Sequence, residues 1–91
     1  MYNRQLPAEK MELFQRGLEE NARREPMDAT HHIDMQINGT QYRLQLLIRK
    51  SKIIPIQAIR VSRDIQNSEL ITRPMMLGAL TEFMVEQYTR K

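Results

Sequence analysis

The side chains best suited to hold a metal are His31-His32-x-Asp34. On a strand, His32 and Asp34 fall on the same side, because alternate residues share a face. A catalytic metal normally takes three protein ligands, and the chain has no further histidine. Asp28 joins only if the intervening loop folds back. The pattern therefore reads as the polar start of a strand, with Asp34 facing a basic partner and no metal. Nucleophilic chemistry is no better supplied. Ser51, Ser62 and Ser68 have no histidine at a suggestive spacing, and there is no cysteine to give a thiolate or a disulfide. A glycine-rich phosphate loop, a G-x-S-x-G elbow and an H-E-x-x-H pair are all missing from the sequence. The expectation is a non-catalytic protein that needs no cofactor.

Charge is distributed far less evenly than the net +3 suggests. Residues 1–34 carry five basic and seven acidic side chains, and residues 64–91 carry three and four. Between them, residues 35–63 hold Arg43, Arg49, Lys50, Lys52, Arg60 and Arg63 with no acid at all. Such a concentration raises the local potential and attracts phosphates or acidic proteins. The alternative is a solvated sheet face whose Lys and Arg guard its edges. Single-strand binders stack bases on exposed aromatics. Here Phe14, Tyr42, Phe83 and Tyr88 are all assigned to the core, leaving Tyr2 free. Contact with the backbone of a duplex, DNA or RNA, at low sequence specificity is the more natural version.

The elements that would position these cations follow from periodicity. Met11, Phe14, Leu18 and Ala22 recur every three or four residues and predict a helix over residues 7–25. Pro7 lies at its start and Pro26 beyond its end. Glu12/Arg16, Glu19/Arg23 and Glu20/Arg24 would pair at i,i+4 on the wet side. Asn38-Gly39 between alternating segments predicts a two-residue type I′ hairpin. In that register Ile37 pairs with Thr40, Met35 with Tyr42 and Ile33 with Leu44, while Asp34 faces Arg43 and His32 faces Gln45 on the other side. One register sorts apolar from polar and opposes unlike charges. A second turn falls near residues 49–52 and lacks glycine. Residues 53–61 are rich in β-branched residues and read as a third strand. Pro55 requires this strand to lie at an edge or to carry a bulge there, and a bulge would explain an inward phase that moves from Ile54, Ile56 and Ala58 to Ile59 and Val61. A short helix from Pro55 is the competing reading. Residues 62–72 form a polar connection. Residues 74–89 form a second helix whose apolar face holds Met76, Leu77, Leu80, Phe83, Met84 and Tyr88. Residues 1–6 are a tail.

These elements make one small α+β domain over residues 1–91. It is a three-stranded antiparallel meander with two helices on one face, in the order α-β-β-β-α. That order is the one seen in double-stranded RNA-binding domains, but the match stops at topology. The second helix here opens on Arg73-Pro74-Met75-Met76-Leu77-Gly78, with one charge where such domains are lysine-rich. No stretch approaches the roughly 20 apolar residues of a membrane span, no signal peptide is visible, and a cytoplasmic location is expected. Of the seven methionines, Met11, Met35, Met76 and Met84 lie on core stripes. Met75, Gly78 and Ala79, with Val85, suggest a second surface on the last helix suited to a homodimer or a partner helix. The leading expectation is a regulatory binding protein that contacts nucleic-acid phosphates through Arg43, Arg49, Lys50, Lys52, Arg60 and Arg63. The alternative is an adaptor or inhibitor, expected to be dimeric, acting through that helix surface or by strand addition along residues 53–61.

Overall fold

The computed structural model describes residues 2–24, 30–62 and 68–90, with backbone alone for residues 23 and 24. In chain order the elements are β1 (Arg4–Gln5), α1 (Ala8–Asn21), β2 (Ala22–Arg24), β3 (His31–Ile37), β4 (Thr40–Arg49), β5 (Lys52–Val61), β6 (Glu69–Ile71) and α2 (Pro74–Thr89). The class is α+β. The meander β3-β4-β5 forms its centre, and three short strands widen it. The antiparallel sheet runs β1-β5-β4-β3-β2, and β6 shares the outer edge of β5 with β1.

The first hairpin forms in the expected register over all seven pairs, from Ile37 with Thr40 to His31 with Leu46. Asn38 and Gly39 take φ of 50° and 80°, the left-handed pair that a type I′ turn requires. On the inner face, Ile33, Leu44, Leu46 and Ile53 are fully enclosed with Phe14 and Met84 from the helices. Full burial of each such side chain contributes roughly 1.5–3 kcal/mol, so this layer carries the fold.

Helix α1 is shorter than its periodicity suggests. It stops at Ala22, which turns extended at φ −109° and ψ 150° while its N–H still bonds the Leu18 carbonyl. Residues 22–24 then pair with Ile33, His32 and His31. Beyond Ala22 the stripe has no large apolar residue, so further helix would bury little, whereas the extended form gains a strand ladder. Glu19/Arg23 and Glu20/Arg24 are therefore not helical pairs. Glu12 and Arg16 do meet, at 3.2 Å.

Residues 1–6 are not simply a tail. Arg4 and Gln5 pair with Ile53 and Lys52, and Leu6 is buried in the core. The polar connection also contains a strand, with Ile71, Leu70 and Glu69 pairing with Ala58, Ile59 and Arg60. Residues 52–61 are strand, not helix. The expected bulge is there, because Gln45 pairs with Gln57 but Leu46 with Pro55, leaving Ile56 unmatched. Ala58 faces inward as expected, but on either side of it the phase is the reverse of that expected. Ile53, Pro55 and Ala58 are buried, while Ile54, Ile59 and Val61 are only half-buried on the opposite face. Pro55 lies between the stretches covered by β1 and β6, where its missing N–H breaks no ladder bond.

Helix α2 spans Pro74–Thr89, with Pro74 in its first turn. The helices meet where Phe14 and Tyr88 stack with centroids 5.9 Å apart and planes tilted 37°. Gly17 lies directly beneath Tyr88, since a Cβ there would sit 2.9 Å from the ring. Gly78 is covered in the same way by the chain's own Tyr2, whose ring would lie 3.0 Å from an added Cβ. The tyrosine expected to be free is thus docked on α2, and its hydroxyl donates to Glu82.

Candidate functional site

Five of the six cations of the central segment are described, and the fold distributes them over three places. Arg63 lies outside the described residues. Arg43 stands on the open sheet face, where its Nε donates to Asp34 Oδ1 at 2.8 Å. Arg60 shares its side of β5 with Ala58 and pairs across to Glu69 at 3.0 Å. Both pairs are largely exposed, and such pairs contribute at most about 1 kcal/mol. Each nonetheless answers its cation with a carboxylate. A single basic face holding all six side chains is not what the register produces. Rows of Gln45/Gln57 and Leu47/Ile54 separate Arg43 from the next cation on its face.

The remaining three come together. Arg49 and Lys52 are direct cross-strand partners closing the β4–β5 hairpin, and Lys50 is in the two-residue turn between them. All three are exposed. Opposed like charges on facing strand positions are destabilising, and among the described residues no carboxylate lies within ion-pair distance of any of the three. The backbone is also unusual here. Lys50 and Ser51 take φ of 46° and 64°, the left-handed region that non-glycine residues enter at a cost of about 1–2 kcal/mol each. The Ser51 carbonyl accepts the Leu6 N–H at 3.1 Å, so β1 braces the turn from behind. The absence of glycine left the turn type open in the sequence. Its geometry is the same two-residue left-handed turn as the Asn38-Gly39 hairpin.

The histidine pair has a structural explanation. Gln45 Nε2 donates to the buried Thr30 hydroxyl at 3.0 Å, and His32 Nε2 lies 3.4 Å from that hydroxyl. With Asp34 engaged by Arg43, both candidate ligands have protein partners. Among the described residues no three His, Asp or Glu side chains gather where an ion could sit. Asp28 lies outside them.

The proposed surface of α2 is reduced by half. Met75 is 87% exposed and Ala79 is exposed, but Gly78 is under Tyr2 and Val85 is in the core. Met76, expected in the core, is 40% exposed. The extra apolar surface instead faces the bulge of β5. There a groove of about 530 Å³ runs between β5 and the start of α2. Its exposed Ile56 was not readable in the sequence, since the bulge alone turns it outward. Strand addition along residues 53–61 is obstructed, because β1 occupies the outer edge at 52–53 and β6 at 58–60.

Two tyrosines titrate abnormally. Burial pushes the Tyr2 phenol up to about 12, helped by its hydrogen bond to Glu82 and that carboxylate's charge and opposed by Arg4. Tyr88 is raised first by burial and then by the charge of Asp34. Both stay neutral at physiological pH and serve packing. Among the described residues no helix is long and apolar enough to cross a membrane. Comparison with protein-family models, with curated proteins and with solved structures finds no match.

Proposed function

We propose that this is a non-catalytic binding protein that engages nucleic-acid phosphates through the β4–β5 turn. The observation that carries the reading is the direct opposition of Arg49 and Lys52 across a turn bearing Lys50, with no carboxylate among the described residues to answer them. A phosphate seated between the two strands relieves that repulsion, and phosphate neutralisation is the main source of sequence-independent nucleic-acid affinity. The strained, braced backbone supports the same reading, since such conformations persist where surrounding structure enforces them and cluster at ligand-binding positions. Arg43 and Arg60, already paired, contribute less. With no aromatic free to stack, the ligand is a duplex gripped by its backbone.

Labelled duplex DNA and duplex RNA, titrated by fluorescence anisotropy at 50 and 150 mM salt, test this. Three phosphate contacts imply a salt slope of about −2.7 and a loss of affinity of about 20-fold between the two conditions. Replacing Lys50 alone by Ala lowers the slope by about one. An Arg49→Glu/Lys50→Glu/Lys52→Glu variant that binds as well as the native chain refutes the assignment.

A further inference from the structure

Four large apolar side chains are exposed among the described residues, namely Ile56, Leu70, Met75 and Met76. They come from the β5 bulge, from β6 and from the first turn of α2, and these three segments adjoin. Leu47, Ile54, Pro55, Ile56, Pro74 and Leu77 line the groove between β5 and α2, and among the described residues its only charged lining group is Arg49. A second depression containing Leu70 and Met76 shares Thr72 with it. The two depressions therefore adjoin at Thr72, the groove apolar and the second mixed, and exposed apolar surfaces of this kind mark interaction sites. Methionines suit the role because they repack readily.

Among the described residues the groove itself is lined by positive charge alone, whereas the second depression holds Arg60, Arg73 and Glu69. Arg49 lines the groove, Lys52 stands opposite Arg49, and Arg73 is exposed at the start of α2. Among the described residues no carboxylate lines the groove. The nearby Glu82 and Glu69 are held by Arg4 at 3.1 Å and Arg60 at 3.0 Å. Helix α2 also begins with no side-chain cap and no acidic residue in its first turn, so its positive end is uncompensated. We propose that this groove takes a short acidic and apolar segment of a protein partner. Two or three large apolar side chains enter between the β5 bulge and α2, and flanking carboxylates meet Arg49, Lys52 and Arg73.

Two alternatives fit less well. A second copy docking through the same patch would bring these cations against their own counterparts. A peptide added as a strand would find only residues 54–57 of β5 unclaimed between β1 and β6, one of them a proline without an N–H. Side chains in pockets, not a backbone ladder, hold this occupant.

The test is selection of a random twelve-residue display library against the full chain, followed by anisotropy with the labelled consensus peptide. The expected consensus joins Leu, Phe or Trp to Asp and Glu. Ile56→Asp should weaken its binding by about tenfold or more, as for a well-packed anchor position. Arg49→Glu/Arg73→Glu should weaken it comparably and abolish its salt dependence, and Lys50→Glu should change it less than about threefold. Ile56 is exposed, so its variant should retain the native circular dichroism spectrum. No enrichment, a neutral or basic consensus, or indifference to Ile56→Asp overturns the proposal. Self-association abolished by Met75→Asp would assign the patch to a second copy and equally overturn it. The phosphate reading fails separately, because duplex binding should vanish in Lys50→Glu/Lys52→Glu and survive Ile56→Asp.

Discussion

Replacing Gly17 by alanine sets two effects of known size against each other. Gly17 is inside α1, where Gly→Ala ordinarily gains about 1 kcal/mol from backbone entropy. Here the new methyl would lie 2.9 Å from Tyr88 Cγ and Cδ2 and 3.1 Å from Tyr88 Cβ, well inside normal carbon contact of about 3.5–4.0 Å. The clashing atoms are the root of the side chain, so a rotation at its far end brings no relief. The ring is also held against Phe14. Overpacking of this kind costs about 1–3 kcal/mol, so the clash outweighs the propensity gain and the net effect is a loss of about 1 kcal/mol. For a chain of this size that lowers Tm by about 4–8 °C. In a Tyr88→Ala background the ring is gone and only the Cβ contact at 3.1 Å remains, so the same substitution should stabilise by up to about 1 kcal/mol. Urea unfolding followed by circular dichroism in a double-mutant cycle therefore gives a coupling of about 2 kcal/mol with a change of sign. Stabilisation by Gly17→Ala in the presence of Tyr88 would refute the packing argument.

Other predictions follow from the same geometry. Ser51→Gly, by relieving a left-handed residue at φ 64°, should raise stability by about 0.5–1 kcal/mol after the entropy gained by the unfolded chain is subtracted. It should leave duplex affinity unchanged, and a lower Tm would contradict the turn conformation. Tyrosine absorbance should show a phenol titrating near pH 12 that disappears in Tyr2→Phe. Because its folded pKa is raised, Tyr2's contribution is complete below about pH 10, the unfolded value, and is lost as pH climbs from there towards 12. A native chain equally stable at pH 9 and pH 11.5 would contradict this. Asp34→Asn, which leaves Arg43 unanswered on the open face, should cost no more than about 1 kcal/mol. It should also slightly strengthen duplex binding at low salt, as measured by anisotropy.

Local rules made several elements legible. Asn-Gly with alternating flanks specified the β3–β4 hairpin and its register, because turn chemistry and a period of two agreed on one answer. Pro74 and the apolar spacing after it specified α2. Pro55 in a β-branched run foretold an edge or a bulge, and the bulge is what formed, since β1 and β6 cover the outer side of β5. The concentration of six cations in residues 35–63 was visible as composition. The exclusion of carboxylates from that stretch is equally a property of the sequence.

Only the tertiary structure decided which of those cations lie together without a carboxylate partner among the described residues. Arg43 and Arg60 are claimed by Asp34 and Glu69, partners brought close by strand register. Arg49, Lys50 and Lys52 are left as a cluster by a turn whose left-handed residues carry no glycine signature. Residues 22–24 left the helix because β3 offered them a ladder, and residues 4–5 and 69–71 became strands because β5 had an open edge. Pairing of this kind depends on where a partner edge lies in space, and two or three residues carry too little pattern to announce it. The phase of β5 on either side of Ala58 was reversed for the same reason. Its apolar residues are nearly continuous, so both faces looked inward until the helices covered one of them. The apolar groove beside Ile56 is a consequence of that choice of face.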